Sequence, residues 1–173
     1  MDAPVLLREF VEQHERVVTK PLSSGCPEDS GTRSLFAVDV TPDVFKRHTS
    51  LRAPALVQAY CSVDVEIRCT VVDGRVFAAS LPAPPEHKVD SKYALLAGGR
   101  YTPCILSAEE TALVVNLVSE LGLRFAAVDL GRTKHGPPVL FEVNTAGQYQ
   151  GIEEQTGLPI TDAVAVALLG EGI

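Results

Sequence analysis

The sequence lacks three things that would have decided its class at once. Its four cysteines, Cys26, Cys61, Cys69 and Cys104, contain no CxxC pair and no regular spacing, so neither a zinc site nor a disulfide framework is expected. Free thiols of a cytoplasmic protein are the reading that spacing supports. Its longest apolar run, residues 163–169, falls far short of the roughly 20 residues a bilayer span needs. The N-terminal MDAPVLLREF has no basic segment before its apolar residues, which excludes a signal peptide. Basic residues are also scarce, 15 against 22 acidic ones for a net charge of −7. That balance excludes general polyanion binding, and with it a nucleic-acid partner, because phosphate backbones demand concentrated Lys and Arg.

What is present is an ordinary globular composition, 46% hydrophobic and 21% charged over 173 residues. Such a chain can bury one good core or two small ones. Val5, Leu6, Phe10 and Val11 recur as one buried face of a short helix. Val17 and Val18 open a strand ending at Lys20-Pro21, where the proline keeps Lys20 extended. Residues 23–31, small and polar, read as a mobile loop. A strand over 35–40 follows, then Thr41 and Pro42 as the cap and first turn of a short helix. Residues 55–60 read as a buried strand.

From Val65 the alternation is clean, with Val65, Ile67, Cys69 and Val71 on one face and Glu66, Arg68 and Thr70 on the other. Asp73-Gly74 is a two-residue hairpin turn, and 76–81 return antiparallel. Residues 82–101 form a long loop. Ser107 and Glu110 make a capping box before a helix with Leu113, Val114, Leu117, Val118 and Leu121 on its apolar stripe, ending at Gly122. Strands are expected over 125–130 and 139–143, and Thr161 caps a C-terminal helix. The class is α+β, antiparallel strands with helices packed on one side.

Chemistry concentrates in VLFEVN. Strand alternation places Glu142 and Asn144 on one face and turns Phe141 and Val143 toward the core. Asp129 lies within the preceding strand between Val128 and Leu130. If the two strands pair, Asp129, Glu142 and Asn144 converge as three oxygen donors, a set suited to a hard cation such as Mg²⁺. The same alternation describes a solvated sheet face, and the residues alone leave both readings open. Glu66 and Arg68 share a face and read equally as an exposed ion pair. Lys20 before a small-residue loop suits a phosphate contact, although many strands end in Lys. Tyr60 and Tyr101 read as packing residues.

Taken together, VVTKPLSSG, LVQAYCSVDVEIRCTVVDGRVFAA, LGLRFAAVDL and LFEVNTAGQYQGIEEQTGLPI resemble the nucleotide-binding part of ATP-grasp ligases. The resemblance is nearest to the ribosomal peptide maturases that make microviridin-type graspetides, and it covers about residues 5–170. It implies an ATP-grasp fold with a small lobe over 1–60, carrying a flexible phosphate loop at 23–31, and a C-terminal lobe over 61–173. It implies that Lys20 contacts ATP phosphates, that Gln58 and Tyr60 border the adenine, and that Glu66 lies toward the nucleoside. Arg68, the catalytic candidate, would face the transferred phosphoryl group, and Asp129, Glu142 and Asn144 would hold Mg²⁺.

The implied reaction is ATP-dependent activation of a precursor peptide's side-chain carboxylate as an acyl phosphate. A Ser or Thr hydroxyl or a Lys amine of the same peptide then closes an ester or amide ring, chemistry that is chiefly positioning and charge neutralisation. Two features depart from the family pattern. Family members are about twice as long, so an N-terminal domain is expected to be missing and a separate domain partner or a homodimer to replace it. The family's D-W-R stretch is here Val89-Asp-Ser-Lys92, which makes Lys92 the substitute phosphate cation. Two other readings stand beside the peptide ligase: the same fold acting on another carboxylate, as glutathione-synthetase-like and glutamate-ligase relatives do, and a non-catalytic nucleotide- or peptide-binding module.

Overall fold

The computed structural model describes residues 3–20, 37–41, 56–84, 89–133 and 136–170. The expected mobile loop at 23–31, the Thr41-capped helix and His135 of the HGPP turn fall outside the described residues. The chain divides into two compact units, Met1–Cys61 with Pro84–Tyr93, and Ser62–Ala83 with Ala94–Ile173.

In the first unit, helix α1 (Ala3–Gln13) precedes a three-stranded antiparallel sheet in the order β2-β1-β3. Its strands are β1 (Val17–Lys20), β2 (Val38–Asp39) and β3 (Leu56–Ala59). Val17 and Val18 are buried at the centre of this sheet, as β-branched residues on a middle strand should be. Two expectations change here. Val5 and Leu6 of α1 are about half exposed rather than buried. β3 is an edge strand with Leu56 and Gln58 exposed, not a buried one.

The second unit is built on a five-stranded antiparallel sheet, order β6-β5-β4-β7-β8. The strands are β4 (Val65–Val72), β5 (Arg75–Pro82), β6 (Thr102–Pro103), β7 (Phe125–Arg132) and β8 (Val139–Asn144). β4 and β5 are joined at Asp73 and Gly74, with φ of 44° and 78°, the left-handed pair that a two-residue hairpin requires and that Asp-Gly supplies. The 82–101 stretch is not all loop, since α2 (Lys92–Leu96) forms within it.

Helices cover both faces of this sheet, not one. On one face, α3 (Ala108–Glu120) lays Val114 and Val118 against Ile67, Cys69, Val71, Ala78, Ala126, Val128 and Leu130. Of its expected stripe, Leu113 and Leu121 stay exposed. The Ser107–Glu110 capping box forms in full. Burial among these residues, and secondarily the neighbouring Cys104, push the Cys69 thiol up to about 12, so this cysteine is inert filling.

On the opposite face, α4 (Gln150–Thr156) and α5 (Ile160–Leu169) pack Ile152, Ile160 and Ala163 over Val72, Phe77 and Ala79. α5 begins at Ile160, and Thr161 does not cap it. Its hydroxyl and backbone N–H instead donate to the Glu153 carboxylate of α4, which satisfies a helix-start donor from outside the helix. Among the described residues no helix is long and apolar enough to cross a membrane.

Candidate active site

On the sheet face that α4 and α5 pack against, Val72, Phe77 and Ala79 lie in the apolar cluster. The same face carries polar side chains of three adjacent strands, and the register fixes which of them meet. β4 and β7 pair Arg68 with Asp129, and β7 and β8 pair Asp129 with Glu142 and Ala127 with Asn144. Residues that oppose one another across a ladder share a face, and so do residues two apart. Glu66, Arg68, Asp129, Glu142 and Asn144 therefore stand on one face of the second unit; alternation alone had joined Glu66 to Arg68 and Glu142 to Asn144, and Asp129 to the latter pair if their strands met.

The central contact is an ion pair. Arg68 Nη1 donates to both carboxylate oxygens of Asp129 at 2.8 and 2.7 Å. Both side chains are half-buried, Arg68 more deeply. Arg68 thus pairs across the strands with Asp129. Its Nη2 reaches the Gln148 carbonyl at 3.4 Å, while Nε is buried without a hydrogen-bond partner among the described residues. A buried donor left unmet costs on the order of 1–3 kcal/mol, so the guanidinium is held short of full satisfaction.

Two glycines let this surface form; Gly147 lies within the motif that carries the resemblance, while Gly131 had no sequence signal. At Gly147, in the loop after β8, an added Cβ would lie 2.2 Å from the Ala127 Cβ and 2.9 Å from Arg68 Nη2. The loop can therefore settle over Arg68 only without a side chain there. At Gly131 an added Cβ would lie 2.4 Å from Val63 and 2.7 Å from the Phe141 ring. The β7–β8 register shifts between Asp129 and Leu130, which makes Phe141 the extra residue of a bulge. Phe141 accordingly lies over Gly131 and is partly exposed, where strict alternation turned it to the core; Val143 does pack there.

Asp129, Glu142 and Asn144 offer two carboxylates and an amide oxygen on one face, donor chemistry that fits a hard divalent cation with positions left for phosphate or water. Among the described residues no three His, Cys, Asp or Glu side chains gather; Asn144 brings an amide to this face, not a carboxylate. Its Oδ1 also accepts the Ala146 N–H at 2.9 Å, a local turn that fixes the side chain's direction. The other expected site residues belong to the first unit. Lys20 ends β1, Gln58 lies exposed on β3, and Lys92 opens α2. The Tyr60 ring carries the Arg16 guanidinium 4.3 Å from its centre.

The RimK-like ATP-grasp domain family matches residues 35–168. A probable alpha-L-glutamate ligase of Shewanella pealeana is 33% identical over 125 residues, covering 70% of this chain and 26% of that protein. One from Picosynechococcus is 35% identical over 123 residues, covering 70% and 40%. The chain thus spans well under half the length of these relatives. Among solved structures, a Chryseobacterium gregarium RiPP-associated ATP-grasp ligase in complex with ADP and a leader and core peptide superposes with a TM-score of 0.84 at 20% identity, over 98% of this chain and 53% of that one. The Microcystis aeruginosa macrocyclase MdnC, bound with its precursor peptide, gives 0.81 at 21% identity over 99% and 53%. These likenesses show the ATP-grasp fold, and with the sequence match they place the chain in the RimK-like ATP-grasp family.

Proposed function

We propose that this chain is the nucleotide-binding portion of an ATP-dependent carboxylate ligase, acting on a peptide side-chain carboxylate. The observation that supports this best is the register-paired face holding Arg68, Asp129, Glu142 and Asn144. One cation and two carboxylates on adjacent strands suit a phosphoryl group approached by a metal from one side and a guanidinium from the other. In this reading Asp129, Glu142 and Asn144 hold Mg²⁺, which when bound neutralises phosphate charge and polarises the transferred group. Arg68 then turns from Asp129 toward phosphoryl oxygens, a move its unsatisfied Nε favours. For the first unit we propose the roles its resemblance implies: Lys20 and Lys92 toward phosphates, Gln58 and Tyr60 toward the base.

A second reading, addition of glutamate to a carboxylate acceptor, is favoured by the probable alpha-L-glutamate ligases at 33–35% identity. The peptide reading is favoured by the neighbours solved with precursor peptides. Both readings share the nucleotide site, and one experiment tests it. Mg·ATP should raise the melting temperature of the chain, as any ligand specific to the folded state does. Glu142→Ala should remove most of that rise while melting as the wild type does without nucleotide. An unchanged response in the variant would overturn the metal assignment.

A further inference from the structure

Tyr101, a packing residue by its sequence context, stands beside the charged face. β5 and β6 pair Ala79 with Pro103 and Ser80 with Thr102. Tyr101, one step earlier, comes beside Leu81, whose β4 partner is Glu66. The row through Tyr101, Leu81 and Glu66 thus flanks the row through Pro103, Ala79, Arg68, Asp129 and Glu142. Ala79 is fully buried and presents only a methyl group, so no bulky side chain of that row separates the tyrosine from Arg68.

The ring is half-buried against the cluster of Val72, Phe77, Ala79 and Ile152. Its backbone N–H donates to Gln155 Oε1 of α4 at 2.9 Å. Burial first, then the Asp129 carboxylate, push the phenol's pKa up; Arg68 pulls it down and Glu66 adds to the rise. The group is therefore a neutral O–H donor within the fields of all three charged side chains. Such a donor can meet an anionic oxygen without adding charge to a site that already holds two signs.

We propose that Tyr101 donates its phenolic hydrogen to a non-bridging oxygen of the terminal phosphoryl group of a bound nucleoside triphosphate, beside Arg68. This rests on the nucleotide reading of the site. The test compares Mg·ADP with the non-hydrolysable Mg·AMP-PNP on the full chain. Tyr101→Phe should weaken Mg·AMP-PNP by about fivefold, the worth of one hydrogen bond, and leave Mg·ADP unchanged. A purely structural tyrosine would move both together. 3-Fluorotyrosine at position 101, which keeps the hydroxyl and the packing, should show a ¹⁹F shift with Mg·AMP-PNP and little with Mg·ADP. Equal responses to the two nucleotides, in binding or in ¹⁹F shift, overturn the assignment. A wild-type chain indifferent to both overturns the nucleotide reading itself, and the tyrosine's role falls with it.

Discussion

Gly147 shows how a residue without a side chain can set a site's geometry. The peptide that carries it lies on Ala127 and against Arg68 Nη2, and the next carbonyl, that of Gln148, is within reach of the same guanidinium. Gly147→Ala puts a methyl where backbone-attached atoms of β7 already stand, and overpacking of this kind costs about 1–3 kcal/mol. We expect a lower urea midpoint and, because the displaced loop frees Arg68, weaker Mg·ATP binding in the variant. Gly151→Ala is the control, since among the described residues nothing lies within 4 Å of its added Cβ. Equal stability of the two variants would show that the loop can shift at no cost. Side-chain spacing in the sequence could place Glu142 with Asn144 and Glu66 with Arg68 but gave no sign of what this glycine does, because an absent atom has no periodicity.

At the scale of elements, the capping box of α3 is tied to the sheet. Glu110 closes the box with Ser107 and also receives Arg132 of β7 through Nε at 2.9 Å and Nη2 at 2.7 Å. The Arg132 guanidinium, aided by the Ser107 N–H, holds this buried carboxyl down to about 2 from its ordinary 4.5, against the upward push of burial. A folded-state pKa below the unfolded one means stability present above pH 4.5 and lost as pH falls toward 2. Denaturant midpoints measured across that window should fall steeply for the wild type and less so for Glu110→Gln, which at pH 7 should itself cost about 2 kcal/mol through the lost charge-assisted bonds. Parallel pH profiles for the two proteins would remove the pair from this account.

The box itself, the Asp73-Gly74 turn and the alternation along β4 were legible because each is a local pattern. Thr161 was misread because its hydroxyl answers to Glu153, eight residues away. Phe141 was misread because a bulge breaks the period of two. The second helical layer was missed because its anchor points on the sheet, Val72, Phe77 and Ala79, are scattered over two strands.

For the molecule as a whole, the two ligase readings differ in what they do to a substrate's mass. Ring closure within a precursor peptide expels one water per bond. Glutamate addition adds a glutamyl residue to the acceptor. Activation as an acyl phosphate is common to both and moves one carboxylate oxygen into the released phosphate. For the chain incubated with Mg·ATP and a precursor peptide rich in Thr and Glu whose side-chain carboxylates carry ¹⁸O, the macrocyclase reading expects labelled phosphate and a peptide lighter by water. With L-glutamate and an unlabelled acceptor peptide, the macrocyclase reading expects no mass gain. A chain spanning 26–40% of its curated relatives is best assayed together with the remaining portion of such a protein, supplied in trans. Mass gain with glutamate would carry the alternative, and labelled phosphate with neither product would place the acyl acceptor elsewhere. Unlabelled phosphate from the labelled peptide would mean that its side-chain carboxylates do not take the phosphoryl group, and the macrocyclase reading would fall.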